Sequence, residues 1–323
     1  MRQASPNGIE AQDMTIIMRS SLSPPRPPAL YRWVLVALVL LPLGAPAEVP
    51  GLPFMVLGDW GKANPGQHAV AAALGAAADD THARFIVSVG DNFYPHGVSS
   101  RDDSQWQTSF EHVYTAPGLA VPWRPVFGNH DYRGSTSAQI EYSDSSTRWR
   151  FPAAHYQRTE TIDGDDTADF FYLDTIPLER AARWPHNLWP LDDAQYAWLE
   201  RGLAQSKATW KIVIGHHPVF SGGSHGSAPV LLQRLRPLFE KYGVDAYLCG
   251  HNHVLEHIVV NGVNYFVVGA GSEATKVQAI DGSRFALAKL GFMTARLEHD
   301  RMAVEFVDST GTALYAAEIR HAD

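Results

Sequence analysis

The chain has 323 residues, 45% of them hydrophobic and 19% charged, a composition that excludes general disorder and suits one large folded domain. With 34 acidic against 26 basic residues, its formal net charge is -8; no Lys/Arg cluster interrupts that balance, so nucleic acid is not an expected partner. A single cysteine, Cys249, excludes an intramolecular disulfide and leaves stability to packing.

Residues 1–47 read as a leader. The stretch 1–32 is rich in Pro, Ser and Arg, and the apolar run Trp33–Leu43 is only about half of what a bilayer span needs. Arg26 and Arg32 supply a positive flank, and Ala45-Pro46-Ala47 supplies a small-residue cleavage site. Met14 and Met18 offer later start codons. The expectation is a signal peptide cut after Ala47, a single catalytic domain over 48–323, a secreted or periplasmic location and no stable membrane span after cleavage. The rival reading is a single N-terminal anchor.

Short apolar runs then alternate with helical patterns. Phe54–Leu57 and Phe85–Val89 read as buried strands. Between them Asn64-Pro65 forms an N-cap and N1 pair for a helix reaching Ala78. Residues 132–168 are polar and without period, which predicts a long loop region over the site. Asp192 with Gln195 has capping-box spacing, followed by Tyr196, Leu199 and Leu203 at helical intervals. Lys211–Ile214 and Ala246–Cys249 are further strand signals. The pattern Leu231, Leu235, Leu238 and Tyr242 predicts a helix that Pro237 kinks or divides. Ile258–Val260, Tyr265–Val268, Phe292–Ala295 and Ala303–Val307, separated by turn signals, predict an antiparallel sheet completing the same core. The alternation of strand and helix places the chain among α/β proteins.

Five of these strands end in chemistry. Gly58-Asp59-Trp60-Gly61, Gly90-Asp91-Asn92-Phe93-Tyr94, Gly128-Asn129-His130-Asp131, Gly215-His216-His217-Pro218 and Gly250-His251-Asn252-His253 each put a metal-binding side chain after a Gly that permits a sharp turn. Asp59, Asp91, Tyr94 and His253 would provide three anionic oxygens if the phenol ionises, a donor set for a hard trivalent ion. A free phenol ionises near pH 10, so Tyr94 ligates at acid or neutral pH only through a strong Lewis acid. Asn129, His216 and His251 are neutral and suit a divalent ion, with Asp91 as the bridge. Such a pair can hold a hydroxide and clamp the attacking and leaving oxygens of a phosphoryl transfer. His130 is placed to give the leaving group a proton, Asp131 to orient its imidazole, and His225 to act as a second donor or phosphate contact.

These motifs resemble those of the purple acid phosphatases, within the calcineurin-like metallophosphoesterases, and most of all the small mammalian type. Gly97-Val98, Val121-Pro122-Trp123, Ser137–Ile140 with Tyr142-Ser143, Arg148-Trp149 and Gly269-Ala270-Gly271 stand where that family has similar words. The resemblance implies a four-layer α/β/β/α sandwich with two central mixed sheets. It also implies Fe3+ on Asp59, Asp91, Tyr94 and His253, and a divalent ion, Fe2+, Zn2+ or Mn2+, on Asp91, Asn129, His216 and His251. The implied reaction is acid hydrolysis of small phosphate monoesters by direct attack of a metal-activated hydroxide, with His130 and His225 facing the substrate. A monomer is expected, since the extra N-terminal β domain through which the large plant enzymes pair has no counterpart here. His217 departs from the Tyr common in the mammalian type, which bears on the pocket's charge and pH profile.

Rival functions have their own signals. A phosphodiesterase or nucleotidase could use the same metal core, although Tyr94 favours the ferric branch. Gly222-Gly223-Ser224-His225-Gly226 spells a G-x-S-x-G nucleophile elbow, with Asp245 and later histidines in triad order. Against it, His216-His217-Pro218 separates this loop from the strand that should lead directly into the elbow. A non-catalytic phosphate-binding protein would be expected to lack a ligand or the proton donor, and none is missing. Cys249, in an apolar run, reads as a buried inert thiol.

Overall fold

Side-chain alternation along buried strands produces two packing faces, and both are occupied here. The computed structural model describes residues 50–183 and 193–321; the expected leader and Asp192 of the expected capping box lie outside the described residues. In chain order the elements are β1 (Leu52–Leu57), α1 (Pro65–Thr81), β2 (Ile86–Ser88), β3 (Trp123–Pro125), α2 (Thr136–Glu141), β4 (Tyr156–Thr161), β5 (Thr167–Tyr172), α3 (Thr175–Arg183) and α4 (Asp193–Gln205). There follow β6 (Trp210–Ile214), α5 (Pro229–Tyr242), β7 (Ala246–Cys249), β8 (Leu255–Val260), β9 (Val263–Val268), β10 (Ser283–Leu287), β11 (Gly291–Leu297), β12 (Arg301–Asp308) and β13 (Ala313–Arg320).

The strands form two mixed sheets. One has the order β13-β12-β11-β1-β2-β3, the other β10-β8-β9-β7-β6-β5-β4. In the first, β1, β2 and β3 run parallel while β11 to β13 are antiparallel. In the second, β5, β6, β7 and β9 are parallel, with antiparallel strands at both edges. Phe170, Ile212, Ile214, Leu248 and Phe266 turn toward the first sheet, whereas Phe171, Val213, Tyr247 and Val267 turn toward helix residues Leu178, Leu199, Leu203, Leu231 and Phe239. The period of two along each strand thus generates the inter-sheet core and the sheet-to-helix core together. Phe170 joins the sheets most directly, meeting Phe54 and Phe85 edge-on at 5.4 and 5.3 Å. Truncating a buried aromatic of this kind costs roughly 3–5 kcal/mol.

The first helix follows its sequence signals. Asn64 Oδ1 accepts from Gln67 N–H at 2.8 Å, Pro65 sits at the first helical position, and the helix stops where His82 adopts φ 54°. Three expectations are corrected. The stretch 132–168 is not one loop: it holds α2, β4 and the start of β5. The last third does not form one sheet, since β8 to β10 join the seven-stranded sheet and β11 to β13 the six-stranded one. Of the two outcomes expected at Pro237, division does not occur, since α5 continues through it to Tyr242.

Candidate metal centre

The carboxyl ends of parallel strands in open α/β sheets are where ligands bind, and here both sheets present such ends to one place. Asp59 follows β1, Asp91 follows β2, Asn129 follows β3, His216 follows β6 and His251 follows β7. Three of these residues are in the left-handed region, Asp59 at φ 57°, Asp91 at 51° and His251 at 68°. Each costs on the order of 1 kcal/mol and turns its side chain back over the strand ends. Of the five preceding glycines only Gly90 has positive φ, so the others serve chiefly for close approach. A Cβ on Gly128 would lie 2.1 Å from Asp91 Oδ1, and one on Gly250 would lie 2.3 Å from Asp59 Oδ2.

The donors divide into two groups about Asp91. On one side the Tyr94 hydroxyl lies 2.8 Å from Asp91 Oδ2, 3.2 Å from Asp59 Oδ1 and 3.2 Å from His253 Nε2. On the other, Asn129 Oδ1 lies 3.2 Å from His216 Nε2 and 2.9 Å from His251 Nδ1, and His216 Nε2 is 3.6 Å from Asp91 Oδ1. Ligand atoms of Asp59, Asp91 and His216, all buried, fall within 4.8 Å of one another. His216 Nδ1 is 2.9 Å from the Val89 carbonyl, an acceptor only, so the proton is on Nδ1 and the Nε2 lone pair faces inward. The structure therefore brings all seven sequence-predicted ligands together.

Their chemistry fits a pair of cations. Burial, then the charges of Asp59 and Asp91, push the Tyr94 phenol well above its ordinary pKa, so with protein groups alone it stays protonated. Burial opposes the His253 imidazolium, yet Asp59 at 3.4 Å outweighs it and raises that pKa. Both shifts mark a site with surplus negative charge, which bound metal ions would neutralise.

The three expected catalytic residues take different places. His130 Nδ1 is 2.8 Å from the Pro95 carbonyl, which leaves Nε2 toward the cleft and 4.0 Å from Asp91 Oδ2. Asp131 does not orient it. That carboxylate is buried and accepts from the backbone N–H groups of Asn92, Phe93 and Gly128 and from Gln139 Nε2, at 2.8–3.2 Å. Burial and then the charge of Asp91 push Asp131 up to about 7. It is a positioning residue for the Asp91 and Asn129 loops, directed there because these four donors and Asn92 Nδ2, at 3.3 Å, converge on its side chain. His225 is exposed, its ring 4.7 Å from that of His251. His130, His225, Tyr94, His251 and His253 share one cleft of about 620 Å3, whose rim adds Lys62, Asn64 and Arg133.

Several supporting residues had no assigned role in the sequence reading. Trp60 Nε1 donates to Ser88 Oγ at 2.8 Å, Ser88 donates to Asn92 Oδ1 at 2.6 Å, and Asn92 Nδ2 donates to the Val126 carbonyl at 3.0 Å. Thr175 Oγ1 accepts from the His216 and His217 N–H groups at 3.3 and 3.1 Å and lies 3.0 Å from His217 Nδ1. Asn92 lies within the Gly90–Tyr94 motif; Thr175 carries no local signal. His217 is buried, its ring 4.5 Å from that of His251. Ser224 is exposed, and Asp245 accepts from Lys211 N–H and pairs with His321 Nδ1 at 3.4 Å at the opposite end of β6 from the loop that carries Ser224, so no serine triad forms. Cys249 is buried, and burial pushes its thiol well above the ordinary range.

Strand ends that converge two carboxylates, a phenol, an amide and three imidazoles on one cleft define a metal-dependent phosphoesterase. The calcineurin-like phosphoesterase family model matches residues 52–255. Tartrate-resistant acid phosphatase type 5 of Oryctolagus cuniculus is 41% identical over 256 residues, 74% of this chain and 78% of that protein. Purple acid phosphatase 7 of Arabidopsis thaliana is 33% identical, with 83% and 86% of the chains covered. Among solved structures, GAP50, the anchor in the inner membrane complex of Plasmodium, superposes with a TM-score of 0.77 at 27% identity, covering 85% of this chain and 90% of that one. The chain belongs to the calcineurin-like phosphoesterases and, within them, to the purple acid phosphatases, and is an acid phosphatase.

Proposed function

We propose that this phosphatase hydrolyses small phosphate monoesters with Fe3+ on the Asp59, Tyr94 and His253 side, a divalent ion on the Asn129, His216 and His251 side, and Asp91 shared. The observation that carries this reading is the Tyr94 hydroxyl, within 3.2 Å of three other candidate ligands. When bound, the two ions supply the hydroxide nucleophile and the positive charge that draws electron density from phosphorus. The protein's own groups do the rest. Pro95 fixes the His130 tautomer so that Nε2 can carry a proton to the departing alkoxide, and His225 faces the phosphate from beside His251. Asp131 and Asn92 hold the ligand loops in register.

This reading includes removal of the leader after Ala47 and export of the domain 48–323 as a monomer. No described helix is long and apolar enough to cross a membrane. A diesterase or nucleotidase reading draws on the breadth of the cleft, about 620 Å3, which leaves room for a bulky leaving group. Turnover of matched mono- and diester substrates across pH, with and without chelator, separates the readings. We expect chelator-sensitive monoester hydrolysis with an acid optimum; faster diester turnover would favour the second reading, and chelator-resistant turnover would exclude both.

A further inference from the structure

The Gly222–Gly226 segment, with no nucleophile to present, is built around a different task. Ser221, just before it, is buried and donates to the fully buried Glu256 carboxylate, while Gly222 N–H reaches the other Glu256 oxygen at 2.8 Å. Ser221 Oγ also accepts from Gly223 N–H at 3.0 Å. The remaining partner is Asn252, fully buried between the two ligands His251 and His253. Its Oδ1 accepts from His225 N–H at 2.8 Å; its Nδ2 donates to Ser221 Oγ at 2.8 Å and to the Gly226 carbonyl at 3.1 Å. Both ends of the amide are therefore committed to the loop that carries His225. A Cβ on Gly223 would lie 2.6 Å from the Asn252 side chain, so the glycine permits this contact.

We propose that Asn252 is a positioning residue for His225, tying the loop of metal ligands to the loop of the substrate-facing imidazole. The inference rests on the proposed role of His225. An amide rather than a hydrocarbon is needed because a backbone donor, a backbone acceptor and a hydroxyl meet in one buried place, where unpaired polar groups are costly. The backbone bond at His225 sets where its ring starts, and the ring lies 4.7 Å from that of His251 at an interplanar angle of 37°. One side chain thus relates the phosphate contact to the metal pair.

The test is a double-mutant cycle on the mature, metal-loaded enzyme with Asn252→Ala and His225→Ala, reading metal content, kcat and KM, with Ser221→Ala as a milder variant of the same network. We expect Asn252→Ala to keep its metal ions and to lose roughly 10- to 100-fold in kcat/KM, the scale of a displaced catalytic group. The double variant should be no slower than the slower single variant. Ser221→Ala should move the same parameters in the same direction by less. Multiplicative losses in the double variant, or an Asn252→Ala loss explained by missing metal, would overturn the inference while leaving the role of His225 intact. An unchanged kcat and KM in His225→Ala would instead remove the role on which the inference rests.

Discussion

The two halves of the metal centre are built from different materials. The Tyr94 half gathers anionic oxygens, with Lys62 4.9 Å over the Tyr94 ring and paired to Glu273, itself 3.7 Å from His253 Nδ1 and half exposed. The Asn129 half gathers neutral donors, and its His216 is fully buried and fixed by the Val89 carbonyl. One half is thus shaped by charge and open to tuning from the surface, the other by backbone geometry. On the proposed reading, that difference would let one cleft hold two unlike cations, with Asp91 shared and the remaining donors selecting.

The largest effect should come from removing what the halves share. Asp91→Asn takes the bridging charge from both, and kcat should fall about a thousandfold or more, a few kcal/mol of lost charge stabilisation, with both metals weakened in elemental analysis. Loss of only one metal would break the claim that Asp91 bridges. Tyr94→Phe acts on one half alone, and we expect a roughly 10- to 100-fold loss of metal affinity there, with the other half still loaded. Equal loss from both halves would show that they do not select independently.

Lys62→Met should do less. An ion pair this exposed is worth little, so kcat should change by under about fivefold, while removal of a cation from the face of the Tyr94 ring should move any tyrosinate-to-iron band to longer wavelength. An unmoved band would contradict tuning from the surface. The smallest effect on turnover belongs to a residue outside both halves. Burial pulls the His257 imidazole down to about 4, and its nitrogens lie 2.9 Å from Tyr315 Oη and 3.0 Å from Asn264 Oδ1. Below its ordinary value near 6.5 the unfolded chain takes up a proton that the folded chain refuses. Stability should therefore fall between pH 6.5 and about 4, by about 3 kcal/mol in all, and His257→Gln should flatten that slope in denaturant titrations without changing metal content. A slope that persists would place the acid sensitivity elsewhere.

The candidate ligands were legible because their motifs follow apolar runs, and short range is all that such a motif requires. Their support was less so. Thr175 reaches His216 and His217 only through the tertiary fold, and no spacing announces it. Asp131 stands beside His130 in sequence, yet its side chain turns to the Asp91 loop, so adjacency suggested the wrong partner. Strand β4 lies at a sheet edge with mostly exposed residues, which leaves no apolar alternation to read. For β8 to β13 the antiparallel pairs were readable from turn signals, but membership of one sheet or the other depends on packing between distant segments. The glycines before the ligands were visible for a partly different reason from the one that applies, since most of them admit a neighbour's side chain rather than a turn.

The most direct test of the account is the visible spectrum of the purified wild-type enzyme, taken with metal quantification on the same sample. Two metal ions per chain, at least one of them iron, and a tyrosinate-to-iron band that Tyr94→Phe abolishes are the predicted result. A colourless, iron-free and fully active enzyme would contradict it.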